Sequence, residues 1–349
     1  MIAVTRTPLA VAPDPEDRVY SPAKLLAVVE ALAAENVPAE AALARTGLTA
    51  AALAAPRARV SLTDTLAVYG NAAKLSADPM FAKRVGASMH VSAYGMYGFA
   101  ILSSTDFRQT MQFVTAYHQL ATPLTDLRLD EAGGIACWTL SPLAHPLVDE
   151  RLTRFIVEMQ FGLHLSLHRD VMGADFNFDE LRVGWPKPSN AKGYAEAFDC
   201  RVSFGQTANA FLFSADWLDR PAPLGNRQVR ANVVALCDAE LREMGQGVGV
   251  AGQVRHLLLI NLMQAMAFED VAKEVGMSGR TLRRRLSAEG KTFRGVLDAL
   301  RRDLALRHLQ DKGRSVEEIA FALGFSDAAN FRHAFRRWTN AAPRRGVRG

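Results

Sequence analysis

The sequence predicts an α+β N-terminal domain followed by an all-α C-terminal domain with two helix-turn-helix motifs joined by a long helix. Three observations lead there. Alternating apolar runs interleave with amphipathic helical patterns over residues 1–220. A unit of about fifty residues then occurs twice toward the C-terminus. Charge divides the same way: residues 271–349 hold 18 Lys and Arg against 8 Asp and Glu, while the rest of the 349 residues hold 23 against 28. A basic C-terminal part on an acidic N-terminal part suits one domain that faces a polyanion and one that does not.

Taken in order, Met1–Val19 is a polar, Pro-containing lead, expected to be mobile. Ser21 is placed to cap a helix running to Glu35, with Leu25, Val28, Val29 and Leu32 inward. Ala39–Arg45 forms a second short helix. Ser61 caps another, with Leu62, Leu66, Tyr69 and Ala73 on one face, and Pro79–Val85 begins one more. His90–Ser104 is apolar, and its Gly95 and Gly98 permit a turn or close packing. It lacks the Lys-Ser/Thr of a phosphate loop, so no nucleotide is expected. Ser103, Ser104 and Asp106 suggest a helix cap rather than a nucleophile, since no GxSxG occurs. Asp106–Tyr117 is an amphipathic helix.

Strands are expected at Leu124–Leu129 and Ile135–Leu140, around a turn at Asp130–Gly134. Asp149–Arg169 reads as a long amphipathic helix, Phe178–Trp185 as a strand and Asn190–Phe198 as a short helix. Val202–Phe204 and Ala210–Phe213 complete an antiparallel sheet. Pro221–Asn226 is a linker or the close of this domain. Gln228–Met244 is helical, with Val233, Leu236, Leu241 and Met244 as its apolar positions, and Gly245–Gly252 breaks it. Expected boundaries are 1–220 for the first domain, 221–252 for a linker containing a helix, and 253–349 for the second domain.

In the second domain Val254–Met266 leads into the first copy of the repeat. Phe268–Ser278 and Arg280–Leu286 are two short helices across Gly276. In the second copy Val316–Leu323 stops at Gly324, Ser326 and Asp327 can cap the next helix, and Phe331, Phe335 and Trp338 fall on one face of it. Val271-Ala272 and Gly276 match Ile319-Ala320 and Gly324. Ala272 and Ala320 stand where two helices cross closely. Between the copies, Phe293–Gln310 is a helix whose 18 residues span roughly 27 Å. Such a connector can hold two reading helices about one DNA turn apart, roughly 34 Å.

From Gly252 to Pro343 the chain resembles the DNA-binding domain of the AraC/XylS family of bacterial transcription regulators. The likeness rests on Met277–Leu286, on Gly290–Phe293, on Arg301–Ala305, on Ile319–Asp327, on Asn330–Trp338, and on Pro343. Asn340 and Ala342 depart from the family pattern, where glycine and often serine stand. A looser likeness, over Gly95–Phe107, Phe198–Phe204 and Phe213–Pro221, is to the effector and dimerisation domain of the arabinose-binding-domain-like branch. It implies a small-molecule effector and a homodimer, without naming effector contacts.

Candidate DNA-reading residues are Arg280, Arg283 and Arg284 in the first unit and Asn330, Arg332 and His333 in the second. Arginine can donate two bonds to one guanine, yet half to two-thirds of such bonds go to the DNA backbone, so each arginine has two candidate roles. Arg336 and Arg337 suit phosphates. Ser278 and Ser326 are candidate N-caps that can also hold phosphate. The resemblance implies a near-core, structural role for Arg285.

No catalytic residue, cofactor or metal is expected. His164 and His168 have metal-binding spacing but no HExxH and no third ligand, so two packed or solvated helix histidines are expected. Cys137, Cys200 and Cys237 are scattered, which argues against a DNA-modifying enzyme with a reactive cysteine cluster, and Cys137 is expected to be buried in a strand. A constitutive regulator whose first domain only dimerises is a further alternative. Expected partners are double-stranded DNA, a small-molecule effector, RNA polymerase and a second copy of the chain. With no run of eighteen apolar residues and no signal-peptide core in Met1–Asp14, no membrane is expected and the cytoplasm is the expected compartment.

Overall fold

A computed structural model describes residues 13, 15–143, 145, 147–189, 191–246, 250–260, 266–310 and 315–343. The N-terminal lead up to residue 12, part of the glycine-rich break (247–249), residues 261–265 of the stretch leading into the first repeat and the basic tail 344–349 lie outside them. Two compact units result. The first holds Arg18–Leu143 and Glu150–Leu241, and the second is built on the chain from Arg242.

The first unit opens with helices α1 (Ala23–Ala33), α2 (Ala39–Ala42), α3 (Ala50–Ala54), α4 (Leu62–Leu75), α5 (Phe81–Ser88), α6 (Gly95–Leu102) and α7 (Phe107–Tyr117). The cap of α4 is reciprocal: Ser61 accepts from the Asp64 amide and Asp64 from the Ser61 amide. Helix α1 differs from expectation. Pro22 takes its N-cap position without a side-chain bond, and Ser21 Oγ accepts only from the Ala23 amide at 3.3 Å. Proline suits a helix start because its missing N–H has no intrahelical partner there anyway. Asp106 caps α7 through the Gln109 amide, whereas Ser103 and Ser104 bond back to the Ala100 carbonyl.

One five-stranded sheet runs in the order β1-β2-β5-β3-β4, from β1 (Thr125–Ala132), β2 (Ile135–Pro142), β3 (Glu180–Arg182), β4 (Arg201–Ser203) and β5 (Asn209–Ser214). The first hairpin turns on Gly133 and Gly134 alone, both at positive φ, so its strands run further than the expected five-residue turn allowed. The sheet is not wholly antiparallel: β3 pairs parallel with β4, because α9 (Ala191–Phe198) supplies the crossover between them. The strand expected at 178–185 shortens to β3.

Helix α8 (Glu150–Met172) is the spine of this unit. It crosses α5 at backbone contact. A Cβ on Gly86 would lie 2.0 Å from the Met159 carbonyl oxygen, and one on Gly162 would lie 2.3 Å from that of Lys83. Its other side carries His164 and His168 into an aromatic core. His168 lies edge-on to Phe107, Phe176 and Phe211, and His164 faces Trp138. Both histidines are buried core residues. Burial pushes His164 down to about 3 and His168 well below its ordinary value. Cys137 lies in β2 but is only half-buried, a correction to the expected burial.

Helix α10 (Arg227–Gln246) comes next. It buries Val233, Cys237, Leu241 and Met244, while Leu236, expected inward, is exposed. The second unit contains α11 (Val250–Ile260), α12 (Phe268–Glu274), α13 (Gly279–Ala288), α14 (Phe293–Gln310), α15 (Val316–Ala322) and α16 (Ala328–Thr339). Two apolar cores form in it. Val271, Ala272, Leu282 and Leu286 meet Val254, Val296 and Leu300 in one. Ile319, Ala320, Phe331 and Phe335 meet Ala305, Leu306 and Leu309 in the other. Helix α14 thus contributes to both, and Leu304 packs against each.

Candidate DNA-binding surface

Both units of the repeat close by the same bonds. Gly276 sits at φ +67° and Gly324 at φ +71°, the left-handed geometry that ends a helix. The Met277 amide reaches the Ala272 carbonyl at 2.9 Å, and the Phe325 amide reaches the Ala320 carbonyl at 3.0 Å. A second bond matches as well, Gly276 to Lys273 and Gly324 to Phe321, each at 3.0 Å.

The caps of the second helices differ. Ser278 caps α13 and accepts from the Thr281 amide. For α16 the cap is Asp327, which accepts from the Asn330 amide at 2.7 Å. Ser326, expected to cap, stands one residue before, donating to Asp327 and accepting from the Asn330 side chain. The cap bonds hold the Asp327 carboxyl below its usual range.

Inward faces are apolar as the spacing requires. Leu282, Leu286, Phe331 and Phe335 are buried, while Trp338 is only half-buried. Arg280, Arg283, Arg284, Asn330, Arg332 and His333 are all exposed. So is Arg285, expected near the core, because Leu282 and Leu286 fill that face.

The six candidates differ in what they already touch. The Arg283 guanidinium lies 4.7 Å from the Phe268 ring centroid, and Phe268 is edge-on to Phe293. Asn330 is held by Ser326 and Asp327. Arg332 is paired with Glu317 at 2.7 Å, and Arg337 with Asp298 at 3.0 Å. Among the described residues, Arg280, Arg284 and His333 carry no hydrogen bond or ion pair.

Three positioning contacts have no counterpart in the sequence pattern. The Glu289 carboxylate caps α11, accepting from the Val250 and Ala251 amides at 2.7 and 2.9 Å. Arg255 of α11 pairs with nearly buried Asp303 of α14. Arg301 of α14 donates to the Leu323 and Gly324 carbonyls and stacks on Phe325, which locks the second turn to the connector.

Residues 37–222 match the arabinose-binding domain of AraC transcription regulators, and residues 271–348 match a helix-turn-helix domain. The chain belongs to the AraC family of transcription regulators. This AraC-family chain is 32% identical to the ornithine utilization regulator of Pseudomonas aeruginosa, over 92% of its own length and 96% of the relative's. It is 29% identical to an uncharacterised HTH-type transcriptional regulator of Mycobacterium tuberculosis, over 88% and 90%. The crystal structure of the transcriptional regulator CdpR of Pseudomonas aeruginosa covers 91% of the chain with 95% of its own, at 21% identity and a TM-score of 0.49.

As an AraC-type regulator the chain is a helix-turn-helix, DNA-binding protein with a mixed α/β N-terminal domain. Among its described residues no helix is long and apolar enough to cross a membrane.

Proposed function

We propose that this regulator binds its operator through α13 and α16 together, each entering a major groove, and that a small-molecule effector in the N-terminal domain sets its activity. The observation that carries this is the duplicated bond pattern at Gly276 and Gly324, each succeeded by a capped helix with an apolar inner and a cationic outer face. In the first unit Arg280 and Arg284 are the unengaged base readers, with Arg283 oriented by Phe268. In the second, Asn330, Arg332 and His333 face outward, and Arg332 must leave Glu317 to reach DNA. Ser278 lies beside the start of α13, where phosphate is favoured; at the start of α16 the Asp327 carboxylate already accepts the Asn330 amide, which leaves Ser326 the weaker candidate.

The proposed division is 1–220 for effector binding and dimerisation, 221–252 for the linker and 253–349 for DNA. The proposed setting is a cytoplasmic homodimer that works with RNA polymerase and performs no catalysis. A relative matched over nearly its whole length regulates ornithine utilization, which supports a metabolite as effector.

Footprinting of the full chain on a selected operator tests this. Two protected major-groove segments per chain, about one helical turn apart, are expected, with affinity falling steeply as salt rises. Protection of one groove per chain, or affinity indifferent to salt, overturns the tandem model.

A further inference from the structure

A cavity of about 230 Å³ lies among α5, α8 and α9 of the first unit. Pockets for drug-sized ligands begin at roughly 300 Å³, so this one suits a small metabolite. Its walls carry charges of both signs. The cations are Lys83 of α5 and Arg169 of α8, and the acids are Asp170 of α8 and Asp199, the residue that follows α9. Ala87, Leu165 and Phe198 add apolar surface between them.

These charges are unevenly matched. The Asp170 carboxylate lies 2.9 Å from His90 Nδ1 and accepts from the Val91 amide at 2.9 Å, so it is already engaged. Arg169 is half engaged: its Nε donates to the Phe176 carbonyl and its Nη2 reaches the Asn177 side-chain oxygen at 3.5 Å. The side chains of Lys83 and Asp199 carry no hydrogen bond or ion pair among the described residues, not even with each other, although they line one cavity. Lys83 is half-buried, with its ammonium 5.6 Å from the Phe198 ring centroid. Burial lowers its affinity for the proton, and neighbouring Arg169 lowers it further, as befits a cation without an anion. Asp199 is exposed and sits at φ 50°, where aspartate is tolerated but uncommon. Its carbonyl accepts from Asn177 Nδ2 at 2.6 Å. One carboxamide thus fixes the Asp199 backbone relative to the Arg169 guanidinium.

We propose that this cavity is an effector site and that it takes a small amino acid as a zwitterion, with the carboxylate between Lys83 and Arg169, the ammonium on Asp199, and the carbon chain on Phe198 and Leu165. This rests on the reading of the chain as an effector-controlled regulator, and it names the ligand class and the place. Charge balance decides the class. An anion alone would satisfy Lys83 and Arg169 but leave Asp199 unmatched and face the Asp170 carboxylate. An amine alone would satisfy Asp199 and be repelled by the two cations. A ligand of both signs completes every open charge, and bonds between ionised partners are the strong ones. Bound there, the ligand ties α9 to the α5–α8 crossing, and it stabilises the domain by mass action.

Titration calorimetry on the full-length protein tests the site with four probes of similar length: the zwitterions norvaline and 5-aminopentanoate, the anion pentanoate and the cation pentylamine. At least one zwitterion is expected to bind about tenfold or more tightly than either singly charged probe, as loss of a charge-assisted bond implies. Lys83→Met is expected to reduce that zwitterion to the level of pentylamine, and Asp199→Asn to the level of pentanoate. Asparagine tolerates the left-handed backbone as aspartate does, so Asp199→Asn keeps the test valid should Lys83→Met fold poorly by circular dichroism. No binding of either zwitterion, equal binding of a singly charged probe, or unchanged zwitterion affinity in Asp199→Asn overturns the proposal. A metabolite extract that shifts operator affinity equally in wild type and Asp199→Asn overturns this site and leaves effector control standing. An extract without effect on the wild type removes both.

Discussion

Arg301 Nε donates to the Leu323 carbonyl at 3.0 Å, tying the middle of α14 to the C-terminus of α15. The same guanidinium reaches the Gly324 carbonyl and lies 4.7 Å from the Phe325 ring centroid. One half-buried side chain thus satisfies two carbonyls at a helix end, where intrahelical partners are lacking. Arg301→Ala is expected to destabilise the protein by about 2–3 kcal/mol, since hydrogen bonds from a charged group and a cation–π contact are lost together. Arg301→Lys recovers only part of this, because an ammonium cannot reproduce the planar fork. Chemical denaturation of the two variants checks the order, and equal stability of Lys and Ala at this position would refute it.

The Arg332–Glu317 pair, with both side chains about half exposed, is a weak clasp on an arginine proposed to face DNA. Glu317→Gln frees Arg332 and removes a negative charge from the proposed DNA-facing surface. Operator affinity is expected to rise by about two- to fivefold at moderate salt, and the gain shrinks as salt screens it. Fluorescence anisotropy measures this directly. A loss of affinity would mean that Glu317 orients Arg332 productively.

The first unit offers a comparison between two neighbouring arginines. Arg280 carries no bond within the described residues, whereas Arg283 lies over Phe268. Arg280→Ala is expected to cost about 1–3 kcal/mol on the operator and to relax preference at one base position. Arg283→Ala is expected to lose affinity as well, and Phe268→Leu should reproduce part of that loss by releasing the guanidinium. Selection from a random-site library separates the two roles. Uniform loss across all sequences would mark Arg280 as a phosphate contact.

Local chemistry made much of the second domain legible. Glycine at 276 and 324 punctuates the helices because only a left-handed residue closes them, and Leu282/Leu286 and Phe331/Phe335 mark the inward faces by period. What period cannot convey is the identity of a distant partner. Glu289 caps a helix 39 residues upstream, and Arg301 meets carbonyls 22 and 23 residues away. Neither has a local signature. Lys24, whose ammonium donates to the Thr122 carbonyl, did have one: it stands four residues before Val28, on the inward face of α1, where a cation is out of place. The parallel β3–β4 pair was hidden because strands of three residues carry too little alternation to set direction.

The buried histidines make stability depend on pH with a defined sign. His164 is pushed down to about 3 in the folded state, and His168 is pushed down too, by burial first and then by His164. In the unfolded chain each titrates near its ordinary value of about 6.5. Below that value the unfolded state takes up protons that the folded state refuses. The histidine contribution to stability is therefore full above about pH 6.5 and falls toward lower pH, by about 1.4 kcal/mol per pH unit for each histidine. Glu158 works the other way, since burial raises its carboxyl, so the net slope is gentler than the histidine sum. Urea denaturation between about pH 7 and pH 5 measures the slope, and His164→Leu should flatten it because one proton acceptor of the unfolded state is gone. An unchanged slope in that variant would mean that His164 is protonated inside the core, which the aromatic rings around it and the nearby Lys24 both disfavour.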